Sequence, residues 1–172
     1  MSNSFEWTLA IDEDLEAIPP FNLGGNEPQF VSAAQSDDRI RARYFVRRST
    51  SEIVGHIHCG QLAQGPPGCA HGGAIASILD EVMGMAAWQK GLNVVAAEIW
   101  VKYRKPTPLW TEFEAHSWVE SVEGRRAEVR SRLQLTDGTV LVEGGGTFVN
   151  IGKDRYQEFV KEADAVRDKN IS

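Results

Sequence analysis

The run from His71 to Trp88 constrains this chain more than any other: His-Gly-Gly-Ala-Ile-Ala-Ser-Ile-Leu-Asp-Glu-Val-Met-Gly-Met-Ala-Ala-Trp. It has helical length and composition, and only Ser77, Asp80 and Glu81 break its apolar character. A helix that is apolar all round is a buried helix, so the rest of the chain must wrap it. A carboxylate on such a helix is costly unless it is paired or used. Gly72 and Gly73 at the start leave backbone N–H groups bare enough for a ligand oxygen to approach. One helix therefore offers anion-binding donors at its N-terminus and a carboxylate, Asp80, two to three turns further on. On a helical wheel Gly73, Ser77, Asp80, Gly84 and Ala87 form a small-residue stripe beside the carboxylate. Ile75, Ile78, Val82 and Met85 form the core side.

The flanking segments supply the wrapping. Arg39–Arg48 and Glu52–Cys59 alternate as strands before the helix. Lys90-Gly91 ends the helix with a cation and a glycine suited to the left-handed cap. Val94–Tyr103, Thr111–Ser121, Arg126–Leu135 and Thr139–Asn150 are four further strands, with a tight turn at Asp137-Gly138, and they are expected to form a meander. Asp154–Asp168 is a charged amphipathic helix. Strand, strand, buried helix, four strands predicts an α+β domain. One curved antiparallel sheet surrounds the helix, and one flank is left for a second subunit.

At 172 residues and 42% apolar content the chain is of single-domain size. It divides into an N-terminal arm or cap (1–38), a body (39–152) and a C-terminal helix (153–172). The arm carries eight acidic side chains and no basic one, and its Pro19-Pro20, Gly24-Gly25 and Pro28 allow at most short helices. The body is slightly positive, which argues against general nucleic-acid binding but permits a local basic patch for an anionic small molecule. No apolar run reaches membrane-spanning length, so no membrane partner is expected, and the first residues lack a secretion signal. Cytoplasmic location, with Cys59 and Cys69 as free thiols, follows as the expectation.

His56, His58, Cys59, Cys69 and His71 lie close in sequence. His-x-His on a strand puts both imidazoles on one face, as zinc requires. Cys59 would face the other way and no Cys-x-x-Cys is present, so strand-edge histidines are the preferred reading and no metal is expected. The Arg39/Arg41/Arg43 face is expected to be exposed. Trp88, Trp100 and Trp118 are read as bulky core, with the lining of an apolar ligand pocket as the functional alternative.

Gly-Pro-Pro-Gly-x-x-His-Gly-Gly-Ala-Ile-Ala-Ser-x-x-Asp-x-x-x-Gly (Gly65 to Gly84) and Val101-Lys-Tyr-Arg-Lys-Pro-Thr-Pro108 resemble the hotdog-fold acyl-CoA thioesterases, specifically the phenylacetate-degradation (PaaI-like) branch. The resemblance covers about Gly65 to Val149. It implies hydrolysis of acyl-CoA to free acid and CoA at the interface of a homodimer, or of a dimer-of-dimers tetramer. Gly72, with Gly73, would hold the thioester oxygen; Asp80 would act as nucleophile or general base; His71 would orient the loop. No cofactor is implied beyond the CoA of the substrate. Where relatives place a Ser or Thr on the strand after the helix, this chain has Ala96, leaving Ser77 and Glu98 to supply a polar group. Gln64 stands where some relatives have Asn. Lys102, Arg104 and Lys105 are candidates for the CoA phosphates. An acyl-CoA-binding protein without turnover is the alternative.

Overall fold

The computed structural model describes residues 5–20, 30–31 and 38–171. The Gly24-Gly25 and Pro28 breakers and the acidic Glu27 and Asp37 lie outside them. Seven strands form one antiparallel sheet: β1 Leu15–Ile18, β2 Ile40–Arg47, β3 Ile53–Cys59, β4 Val94–Tyr103, β5 Glu112–Glu123, β6 Arg126–Gln134 and β7 Val140–Asn150. The long helix α1, Gly72–Gln89, follows β3. The C-terminal helix α2 spans Lys153–Ile171. No helix among the described residues is long and apolar enough to cross a membrane.

Strand order is β1-β2-β3-β5-β6-β7-β4. The expected four-strand meander is therefore only three strands long. β4 does not pair with β5; it crosses to the far side and pairs with β7, while β5 joins β3. The cause lies in the loop at 104–111. Backbone bonds from Ala70 N–H to the Thr107 carbonyl (2.8 Å) and from Leu109 N–H to the Gly68 carbonyl (3.0 Å) hold this loop across the start of α1. β4 is thereby an edge strand.

Alternation sorts the side chains as period 2 demands. Ile53, Ile57, Phe113, Ala115, Ala127, Val129, Leu133 and Val142 are buried in one cluster with Ile75, Ile78, Leu79, Val82 and Met83 of α1. α1 ends as its sequence requires: Gly91 takes φ +78°, and its N–H and that of Leu92 return to the Trp88 and Ala87 carbonyls. Tyr156 of α2 packs edge-on against Trp88, ring centroids 4.8 Å apart.

The opposite sheet face departs from expectation. Residues 15–18 form a strand on β2, not a short helix, because Asp12, Asp14 and Glu16 pair with Arg47 and Arg48 at its end. The Arg41/Arg43 face is not open. Arg41 lies over Phe5, Arg43 lies over Trp7, and Arg43 donates to the Leu9 carbonyl. His56 and His58 are buried on a central strand, not at an edge. Among the described residues no group of three or more His, Cys, Asp and Glu side chains has metal-binding geometry.

His116, buried on this face, sits between Glu114 (3.0 Å) and Glu52 (3.3 Å). Burial pulls its pKa down, but the two carboxylates outweigh burial and hold it above the ordinary value. A folded-state pKa above the unfolded one means stabilisation present at acidic pH and lost as pH rises through the folded value. His116→Gln should therefore lower the melting temperature more at pH 6 than at pH 9, measured by thermal unfolding at both.

Candidate active site at the start and flank of the long helix

The helix start is built from the preceding loop. Gly65 packs so closely on His71 that a Cβ there would stand 2.8 Å from the His71 Cα. His71 N–H donates to the Ala63 carbonyl (2.7 Å), seating His71 as the N-cap of α1. Its Nδ1 accepts from Gly73 N–H at 2.9 Å and so caps the helix start. Gly73 is thereby occupied. Gly72 N–H, the first of the helix, has no acceptor among the described residues, and it carries the positive end of the helix dipole.

Asp80 lies further along the same flank. The apolar run is not covered on every side: Gly73 is exposed, and Ser77, Asp80 and Glu81 are half-buried. Asp80 opens on a cleft of about 390 Å³ lined by Ser77, Gly84, Trp88, Val94, Ala96 and Phe148, among others. Desolvation by these neighbours raises its pKa. Glu81 is engaged elsewhere, accepting from the buried Tyr44 hydroxyl at 2.5 Å. That hydroxyl is held far above its ordinary pKa by burial and by Glu81.

Two more clefts flank the helix start. One of about 640 Å³ is lined by Gln64, His71, Gly73 and Ser77 together with Arg39 and Leu62. The other, of about 420 Å³, joins Cys69, Gly72, Tyr103, Arg104, Lys105 and Pro106. Ser77 lines both the first of these and the Asp80 cleft, and its hydroxyl donates to the Gly73 carbonyl (2.7 Å).

Several candidates are thus gathered and others are not. Arg104 and Lys105 stand beside Gly72, with Arg104 paired to Glu143 at 2.6 Å. Lys102 is excluded from that group: strand alternation turns it to the other sheet face, over Trp100 at 5.0 Å. Of the two polar candidates, Ser77 reaches the Asp80 cleft and Glu98, past the bulge in β4, does not. Of the tryptophans, Trp88 lines that cleft, while Trp100 and Trp118 lie on the outer face against Arg130 and Arg132, away from the core and from that cleft. Tyr103, which sequence reading passed over, donates its hydroxyl to the Gly72 carbonyl at 2.7 Å. The same alternation that removes Lys102 turns Tyr103 toward the helix.

A glycine-rich helix start, a desolvated carboxylate on one helix and a seven-stranded antiparallel sheet form the frame in which the family is recognised. The profile of the thioesterase superfamily matches residues 67–142, from the Gly-Pro-Pro-Gly loop to β7. Over residues 67–142 the chain is thus similar to the thioesterase superfamily. The rat acyl-coenzyme A thioesterase THEM4 is 31% identical over 128 residues, 74% of this chain and 55% of that protein. The chain thus spans about half the length of this curated superfamily relative. A thioesterase superfamily protein of solved structure aligns with a TM-score of 0.61 at 30% identity, over 63% of this chain and 53% of its own. A Streptococcus mutans protein crystallised with acetyl CoA aligns with a TM-score of 0.58 at 16% identity, over 60% of this chain and 84% of its own, a likeness of fold alone. The fold is the hotdog fold of these thioesterases: an antiparallel sheet packed against one long helix.

Proposed function

We propose that this chain hydrolyses acyl-CoA thioesters to the free acid and CoA, with each site completed by two copies in a homodimer. The observation that carries the reading is the pairing of an acceptor-free Gly72 N–H with a desolvated Asp80 on one helix. The eight-residue step from one to the other spans about 12 Å along the axis. A base or nucleophile and an oxyanion donor must both lie within about 3 Å of the reacting groups. One copy cannot bring its own Gly72 and Asp80 to one carbonyl, and the two open on different clefts.

A second copy supplies the other half. The outer edge of β4 is unpaired among the described strands, and Val95, Ile99 and Tyr103 are exposed along it. Val94–Ala96 of this strand also form one wall of the Asp80 cleft. A partner docked along β4 therefore closes the cleft and brings its own helix start to it.

In the reaction Asp80 acts in one of two ways. As general base it takes a proton from water as the water oxygen bonds to the thioester carbon; as nucleophile its carboxylate oxygen makes that bond itself. The carbonyl oxygen becomes an anion held by Gly72 N–H. The C–S bond then breaks. In the first case the thiolate takes the proton that Asp80 removed from water, and the free acid remains. In the second the thiolate leaves an acyl anhydride on Asp80; water hydrolyses it to the free acid and Asp80, with release of the proton that the thiolate takes up. Arg104 and Lys105 receive the CoA phosphates beside Gly72. No step requires a metal or redox group, and the two thiols suit a cytoplasmic setting. The rat relative's name and the acetyl CoA in the Streptococcus mutans crystal support this substrate class.

The competing reading is acyl-CoA binding without turnover. It is favoured by Ala96, which presents a methyl group to the Asp80 cleft. Thiol release from a panel of short, medium, long and aromatic acyl-CoAs, with light scattering for the oligomeric state, decides between them. Release by a dimer supports hydrolysis. Tight binding without release leaves the binding reading, and a monomer that turns over overturns the two-copy site.

A further inference from the structure

The peptide unit joining Gly72 to Gly73 is gripped at both ends by side chains from different parts of the fold. Its carbonyl oxygen accepts from the Tyr103 hydroxyl at 2.7 Å, and its N–H donates to the His71 Nδ1 at 2.9 Å. His71 belongs to the loop before the helix, whereas Tyr103 ends an edge strand 31 residues after Gly72. Tyr103 also stands over the Gly72 α-carbon: a Cβ there would lie 3.1 Å from the phenol oxygen and 3.3 Å from the ring carbon bearing it. The close contact calls for glycine at 72, and glycine brings the most conformational freedom of any residue. The helix start is thus chemically bare and intrinsically soft.

An oxyanion donor is effective only when it is already aimed at its target, because reorganisation at the moment of reaction forfeits the gain. We propose that Tyr103 is a positioning residue, whose hydroxyl clamps the Gly72–Gly73 peptide and so holds the neighbouring Gly72 N–H in its donating orientation. This rests on the hydrolytic reading given above. A hydrogen bond donated to a carbonyl also polarises the same peptide, which strengthens its N–H bond to His71, so the two ends of the clamp reinforce each other. The bond does little for global stability. The Gly72 carbonyl is already used by the helix ladder, so no backbone group is left unsatisfied when the hydroxyl goes.

The test is Tyr103→Phe, which keeps the ring and removes the oxygen. Three readouts are taken: acyl-CoA hydrolysis, thermal unfolding, and amide exchange at Gly73 by NMR. Expected are a fall in kcat of about tenfold with KM within about twofold, a melting temperature within about 1 °C, and faster exchange at the Gly73 N–H. Unchanged kcat and exchange overturn the proposal. So does a raised KM at undiminished kcat, which marks a substrate contact, and so does a lowered kcat with unaltered exchange. The hydrolytic reading fails separately, in the parent protein: if that releases no thiol, the exchange measurement still tests the clamp.

Discussion

An Asp80→Asn variant is expected to lose roughly 10²–10⁴-fold in turnover while melting no lower than the parent. The two halves of that result have one cause. Neighbours along the cleft strip water from the Asp80 carboxylate and raise its pKa. Among the described residues no cation pairs with it to compensate. Folding therefore carries the cost of an unpaired, partly desolvated charge at neutral pH. The sign is set by the direction of the shift: a carboxyl whose pKa is higher folded than unfolded destabilises the fold above that range and ceases to do so once protonated. Asparagine keeps the shape, removes the charge and removes the base. The same shift predicts that hydrolysis by the parent declines on the acid side at a pH above the ordinary carboxylate range. Kinetics from pH 4 to 8 beside a melting curve check both halves. A variant that is fully active, or one that is inactive only because it unfolds, removes Asp80 from the centre of the reaction.

The second large effect is on stability. Gly146→Ala should destabilise the protein by about 3 kcal/mol, the upper end of overpacking costs, a fall in melting temperature of roughly 6–12 °C for a domain of this size. Gly144, Gly145 and Gly146 lie side by side on β7 where β4 crosses it. A Cβ at Gly144 would meet the Leu79 side chain at 2.9 Å, and one at Gly145 the Trp100 ring at 2.7 Å. The Trp100 ring lies on the outer face and can turn aside. A Cβ at Gly146 would stand 2.4 Å from the backbone oxygen of Glu98, and that atom moves only if the strand moves. Glu98 lies just past the bulge that separates it from Ala96, so the displaced piece adjoins the wall of the Asp80 cleft. Calorimetry on Gly146→Ala beside Gly145→Ala checks this: the first should lose much more stability than the second. Equal, small losses would mean that β4 is held less closely than the structure has it.

Much of the molecule is legible in the order of residues. The apolar run with glycines at its head sets where the helix begins, and Lys90-Gly91 where it stops. Alternating Ala127, Val129, Ser131 and Leu133 sets one strand, and Asp137-Gly138 its turn. These signals are local: each depends on the conformational preferences of a few neighbouring residues and on which side of an element is apolar. The Gly72-to-Asp80 spacing belongs with them, since on a helix a spacing is already a distance.

The rest was settled by contacts between distant parts of the chain. β4 reads as the first strand of a meander, yet becomes the edge beside β7, because pairing across many residues is set by the loop bonds at Ala70 and Leu109 and not by strand composition. β1 is four residues between acidic and proline-rich segments, too short for a period to show, and it exists because Arg47 and Arg48 give its acidic flank partners. Lys102 and Tyr103 are chain neighbours that the pleat sends to opposite faces, one to Trp100 and one to Gly72. The elements and the chemistry carried on the helix can be read from residue order alone, because both follow from short-range geometry. Which side chains meet at the helix start, and which strand is left open at the edge, were decided by long-range packing, where loop crossings and cross-strand contacts outweigh any local preference.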